Sequence, residues 1–317
     1  MLARLQRVIV IATLLAAVAW LAWCLHADLG AWAALAGVAL LLLPQAPVLA
    51  LEFALLAWLG RDAAAPRASA GQLLRAFVGE VRASWQVFGW RQPFLAEREP
   101  DAVGDAPAGR TAVLLVHGYF CNRGIWLPWL RRLRALGVPC RALTIEPAFG
   151  HIDDWVPAIE AAVAALTRQT GRPPLLVAHS MGGLAVRAWL AAQSDADRAD
   201  ARVLRVVTIG TPHHGTWMAR FGRTPNARQM QRGHRWLAAL AARESAARRA
   251  RFTCFYGHAD NIVFPASTAT LPGADNRHLA GVAHVAMAFR PEVFDEVLRL
   301  LGQAAAGPPW APPGPDH

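Results

Sequence analysis

The chain contains no lysine: all 32 basic residues among its 317 are arginine. Charge is scarce overall. Charged side chains make up 17% of the chain and apolar ones 55%, against about 25% and 45–50% in ordinary soluble domains. This balance excludes a disordered chain, which needs low hydrophobicity and high charge, and it argues against a wholly water-exposed globule. Cysteine is rare too. Cys24, Cys121, Cys140 and Cys254 are scattered, with no CxxC and no histidine at ligand spacing, so neither a disulfide scaffold nor a zinc site is expected. The net charge of +10 raises the question of nucleic acid. No recognition-helix pattern and no aromatic–basic interleaving accompanies it, and no nucleic-acid partner is predicted. There is no internal repeat.

What the chain does have is two long runs without charge, residues 8–25 and 29–51. Each approaches the roughly 20 residues that cross a bilayer as a helix. His26-Ala27-Asp28 forms a polar turn between them. Pro44 and Pro47 would kink the second run, and Glu52 interrupts an apolar stretch that continues over 53–59. Residues 1–60 are therefore expected to form a transmembrane helical hairpin. A cleaved signal peptide led by Arg4 and Arg7 is the first alternative. It fits less well, because the apolar part is long, lacks a small-x-small site and is followed by a second apolar run. Buried core helices are the other alternative. Arg4 and Arg7 precede the first run, Arg61, Arg67, Arg75 and Arg82 follow the second, and the turn has no arginine. The positive-inside rule then puts both ends in the cytoplasm. If only the first run spans, the rest of the chain is periplasmic. Residues 61–110 read as a linker with one amphipathic helix, its stripe formed by Leu73, Leu74, Phe77, Val78, Val81, Trp85 and Phe88. Residues 303–317 are a Pro-rich tail expected to be unstructured.

From residue 111 the texture changes. Strand-like runs at 111–116, 139–145, 174–178, 203–209 and 252–256 alternate with helical patterns at 126–136, 153–170, 182–193 and 291–301. Such alternation predicts an α/β fold, a mostly parallel sheet with helices on both faces, and a site beyond the carboxyl ends of the strands. Ala178-His179-Ser180-Met181-Gly182-Gly183 stands between a strand and a helix, where small residues allow the sharp turn that lifts a serine hydroxyl clear of the backbone. The plain alternative is Ser180 as a helix cap. His117-Gly118-Tyr119-Phe120 follows the first strand. Asp260 ends the strand at 252–256, and His284 precedes the last helix. Asp275 is a poorer acid, lying in a Pro/Gly loop with no strand before it. His213, His214, His258 and His278 are rivals to His284 that lack its position.

Together these motifs resemble the α/β-hydrolase superfamily, with Ala178 in place of the first glycine of G-x-S-x-G. Residues 111–301 look like a bacterial lipase or esterase, helped by Thr211-Pro212-His213-His214-Gly215-Thr216 after the fourth strand. The resemblance implies an α/β-hydrolase domain at 111–302 with a cap at 214–251. It implies Ser180 as nucleophile, Asp260 as acid, His284 as base, and the Tyr119 and Met181 amides as the oxyanion hole. Phe120, Trp217 and Trp236 are the expected substrate and cap residues, and His117 is expected to hold its loop. No cofactor and no metal are implied. The substrate implied is a carboxylic ester, for an enzyme at a bacterial inner membrane the ester of a lipid. An acyltransferase or acyl-thioesterase with the same triad, or a non-enzymatic membrane scaffold, are the alternatives. The cap carries nine arginines against one acid, Glu244. With its apolar residues that composition suits a surface lying on anionic lipid, or else a solvated excursion.

Overall fold

The computed structural model describes residues 1–104, 109–193 and 200–306; most of the Pro-rich tail, from 307 on, lies outside them. The sequences VLLV, LLVAH, VVTI and FTCFY are buried at every position. Apolar runs without alternation are what strands covered on both faces require. They form β1 (Val113–Val116), β3 (Leu175–His179), β4 (Val206–Ile209) and β5 (Phe252–Tyr256). With β2 (Cys140–Ala142) and β6 (Asp275–His278) they make one sheet, ordered β2-β1-β3-β4-β5-β6, with every pairing parallel. Leu114, Val116, Leu176, Ala178 and Val206 point into one core; Val113, Leu115, Leu175, Val177 and Val207 point into the other.

Strand β6 departs from the sequence expectation. It reads Asp-Asn-Arg-His and is partly exposed at the sheet edge. An edge strand pairs through its backbone on one side only and needs no apolar run, so Asp275 opens a strand rather than sitting in a loop.

The N-terminal third is helical: α1 (Leu2–His26), α2 (Ala31–Leu42), α3 (Gln45–Leu59) and α4 (Ala70–Ser84), followed by a π-helical stretch (Trp85–Arg91) and α5 (Gln92–Phe94). Only 11% of the most apolar stretch of α1 is buried against the rest of the protein. The second apolar run is not one straight span. It is broken between α2 and α3, which bend by 71°. Pro44 causes the break, since proline lacks an N–H and disfavours helical backbone at the residue before it; Leu43 has ψ 52°. Residues 61–110 do more than link. α4 starts with a capping box between Ser69 and Gln72 and packs against both α3 and the short helix His284–Met287.

Helices α6 (Leu127–Ala135), α7 (Val156–Thr170) and α8 (Met181–Ala191) cover the sheet, as does the C-terminal helix Pro291–Ala306. The segment 214–251 folds into short helices tied to α8. The Arg187 guanidinium pairs with Glu244 at 2.6 Å, both fully buried, and also donates to the His213 carbonyl at 2.9 Å. Arg248, one of the nine arginines of this segment, is buried against Asp200 at 2.7 Å.

Candidate active site

The turn from β3 into α8 puts Ser180 at φ 55°, ψ −129°. A non-glycine residue keeps such a conformation only where its surroundings enforce it. Here two backbone segments press on it. A Cβ on Gly118 would fall 2.7 Å from the Ser180 Cβ, and one on Gly182 would fall 2.5 Å from the His117 carbonyl oxygen. The Thr211 hydroxyl donates to the Ser180 carbonyl at 2.8 Å. Met181 opens α8, so its N–H is one of the donors a helix leaves unpaired. His117 Nδ1 bonds the Gly118 carbonyl at 2.9 Å, and its Nε2 accepts from Ile145 N–H at 3.0 Å. Burial holds its pKa down at about 4, so the ring is neutral and fastens the loop bearing Tyr119 and Phe120.

Ser180, His284 and Asp260 come from three strand ends and meet. The Ser180 Oγ lies 2.9 Å from His284 Nε2, and His284 Nδ1 lies 3.0 Å from Asp260 Oδ2. Asp260 is itself fixed: its Oδ1 accepts from the Ile262 and Val263 amides at 2.9 and 2.7 Å. Burial works against a charged His284, but the Asp260 carboxylate outweighs it, with a further contribution from Glu80, and the pKa is raised above the ordinary histidine value.

The backbone around His284 is held from every side. Its N–H donates to Asn261 Oδ1 at 3.2 Å, and its carbonyl accepts from His179 Nε2 at 3.1 Å. Burial pushes the His179 pKa down to about 3, so this ring is neutral as well. The next two amides, of Val285 and Ala286, donate to the two oxygens of Glu80 at 2.8 and 3.0 Å. Asn261 in turn donates to Glu52 Oε2 at 2.7 Å. Glu80, on α4, is fully buried, and that burial raises its pKa to about 7. The roles of Glu80, Asn261 and Glu52 were not foreseen. Glu80 had a visible signal: it lies three residues after Phe77 and seven after Leu73, on the apolar face of its helix.

Ser180 and His284 open into a cavity of about 670 Å³. Tyr119 and Phe120 line it, and its roof comes from the N-terminal helices and the π-helical stretch rather than from the segment expected as a cap. Trp217 stacks on Phe264, and Trp236 donates to Asp153 at 2.8 Å; neither lines the cavity. His213 is buried against Thr208, while His258 and His278 pack on each other. Among the described residues no group of three His, Cys, Asp or Glu side chains is placed to hold a metal ion.

Residues 113–316 match the model of the alpha/beta hydrolase family. The chain belongs to that family. Its sheet and the strand–turn–helix at Ser180 are those of the α/β-hydrolase fold. Among solved structures, the hydrolase is similar to a lipase of Bacillus licheniformis in its mature form (18% identity, 63% of this chain and 96% of that one, TM-score 0.54). It is also similar to lipase B of Aspergillus fumigatus (19% identity, 66% of this chain, TM-score 0.54), of which it spans 55%. A phospholipase of Legionella pneumophila follows (16% identity, 63% of this chain and 62% of that one, TM-score 0.50). At such identities the likeness concerns the fold. No curated protein matches the chain significantly.

Proposed function

We propose that the protein is a membrane-anchored serine hydrolase that cleaves carboxylic esters of lipids. The observation that carries this reading is the linear relay from Ser180 Oγ through His284 to Asp260, at 2.9 and 3.0 Å, opening into an apolar cavity. His284 Nε2 takes the Ser180 proton as Oγ attacks the ester carbonyl. Asp260 keeps the ring in the Nδ1–H form and stabilises the imidazolium. The carbonyl oxygen becomes an oxyanion, which the Tyr119 and Met181 amides receive; such donors act on charge that exists only as the intermediate forms. The alcohol leaves with the proton from His284, and water repeats the sequence on the acyl-enzyme. No step calls for a cofactor.

Membrane attachment rests on α1. Its charge-free residues 8–25 reach about 27 Å at 1.5 Å each, close to the roughly 30 Å hydrocarbon core. Val8, Leu15, Val18 and Leu25 are exposed along it. Gln6 bonds Gln92 and the Phe120 carbonyl, and Arg7 bonds the Pro93 carbonyl, so α1 starts against the hydrolase domain. The chain returns to that domain at Glu52 and Phe53. Both ends of the apolar segment thus share a side of the bilayer, and the flanking arginines make that side the cytoplasm. These contacts support the hairpin reading over a single crossing with a periplasmic domain.

The test compares wild type with Ser180→Ala, both purified in detergent, on a panel of p-nitrophenyl esters and phospholipids. Turnover is expected to fall roughly 10⁴–10⁶-fold, and labelling by a small fluorophosphonate to disappear, with the fold unchanged. Full labelling of Ser180→Ala refutes the nucleophile. Product that forms only with an added alcohol acceptor replaces hydrolysis by acyl transfer.

A further inference from the structure

The cavity over Ser180 has an unusual origin. Most of its wall comes from the part of the chain that precedes the hydrolase domain: Ile9 and Leu14 of α1, Leu42 at the α2–α3 break, Val48 of α3, and Phe88 and Trp90 of the π-helical stretch. Its volume of about 670 Å³ lies within the range of small-molecule sites, about 300–1,000 Å³. One end is the reacting centre. Other wall residues reach the molecular surface: Leu14 is 49% exposed, Val48 56%, Trp85 48% and Trp90 51%. Leu15 and Val18 on α1 and Leu35 on α2, the helices that supply Leu14 and Leu42 to the wall, are exposed as well. Whatever surrounds α1 therefore also meets Leu14, which lines the cavity.

We propose that the cavity is an acyl-chain channel filled sideways from the bilayer, with the membrane helices rather than the 214–251 segment selecting the chain. This rests on the hydrolase reading above and specifies where the substrate's hydrocarbon lies. The occupant is one fatty-acyl chain of a membrane lipid, its carbonyl at Ser180 and its methyl end among Ile9, Leu14 and Val48. Charge favours the chain over the headgroup as the buried part. The acidic residues lining the cavity are Glu52 and Glu80, and its one basic group is His284 at the reacting centre; among the described residues no arginine lines it, although the chain has 32. A phosphate buried there would be an unpaired anion beside two carboxyls, which is strongly unfavourable. The headgroup therefore stays outside, at the water interface.

Two measurements test the channel. Val48→Trp and Leu14→Trp, which narrow the rim, are expected to lower the ratio of p-nitrophenyl palmitate to butyrate turnover by about tenfold or more, the worth of two or so lost methylene contacts. Trp236→Ala, in the segment away from the cavity, is expected to leave that ratio unchanged. The second measurement uses wild type in detergent and a long-chain fluorophosphonate with a diazirine near its methyl end. Ser180 displaces fluoride from phosphorus, and light then fixes the chain where it lies. Cross-links in residues 9–14, 42–49 or 85–90 support the channel. Cross-links in 214–251, no cross-link to the protein, or an unchanged chain-length ratio in both folded tryptophan variants overturn it. Failure of the same reagent to phosphonylate Ser180 refutes the hydrolase reading itself, so the two failures are distinguishable.

Discussion

Glu80→Gln probes the clamp on the short helix that His284 opens, and its signature is a stability difference that changes with pH. The carboxyl is fully buried, and its pKa rises from the ordinary 4.5 to about 7 because burial penalises the charged form more than the Val285 and Ala286 amides favour it. A folded pKa above the unfolded one favours the fold at low pH, and that contribution is lost as pH climbs through the folded value. For a window from 4.5 to about 7, the contribution lost between pH 5 and pH 8 is about 2–3 kcal/mol at roughly 1.4 kcal/mol per unit. Glutamine does not titrate. It keeps one acceptor for the paired amides and turns an NH₂ towards the other, which leaves a buried donor unpaired at a cost of about 1–3 kcal/mol independent of pH.

Glu80→Gln is therefore expected to be clearly less stable than wild type at pH 5, with the gap shrinking by about 2–3 kcal/mol by pH 8. Urea unfolding in detergent, followed by the fluorescence of the 13 tryptophans, reads both proteins at each pH. The buried neutral histidines His117, His179 and His213 titrate in both, and their contributions cancel in the difference. A gap that stays constant within about 0.5 kcal/mol, the precision of such extrapolations, refutes the reasoning, because Glu80 would then not be a buried carboxyl ionising in this window.

Two other outcomes follow from the same geometry. His284 must be neutral to accept the Ser180 proton, and neighbouring carboxylates raise its pKa; ester hydrolysis is thus expected to fall as pH drops through that raised value. In Glu80→Gln this acid limb moves to lower pH, and a limb that stays put removes Glu80 from the electrostatics of His284. Glu244→Ala strands the fully buried Arg187 and is expected to cost about 3–5 kcal/mol in unfolding experiments; a loss below 1 kcal/mol would mean that Arg187 finds another anion or water.

The hydrolase fold was legible because its strands are buried on both faces and each is followed by turn residues with few structural options. Ala178 to Gly183 could be read that way, and Ser180 does sit in the strained turn those residues predict. Strand β6 was not legible, since an edge strand needs little hydrophobicity. Long-range polar contacts were also hidden. Glu80 is 205 residues away in sequence from the Val285 amide it holds, and no local pattern joins the two. The cap was misassigned as the source of cavity residues for a different reason. The family resemblance directs attention to the insertion after the fourth strand, and here another part of the chain covers the cavity.

An apolar run looks the same whether lipid or protein covers it, so composition assigned residues 8–25 as a whole to the bilayer. Spacing within the helix separates the two surroundings. Gln6, Val10, Thr13, Ala17, Trp20 and Cys24 recur every three or four residues and share one face. Gln6, Ala17 and Cys24 are buried; Val10 and Thr13 line the cavity; Trp20 donates to the Ala33 carbonyl at 3.3 Å. Val8, Ile11, Leu15, Val18 and Leu25 lie on the opposite side and are exposed. Apart from Arg7, the polar side chains between residues 5 and 24, Gln6 and Thr13, fall on the protein-facing stripe. Thr13 satisfies its hydroxyl on the Ile9 carbonyl, and Gln6 bonds the Phe120 carbonyl beside the cavity. A helix that only crossed a membrane would have no reason to keep those two on one face with its buried small residues. One that also packs on the hydrolase domain and lines its cavity does.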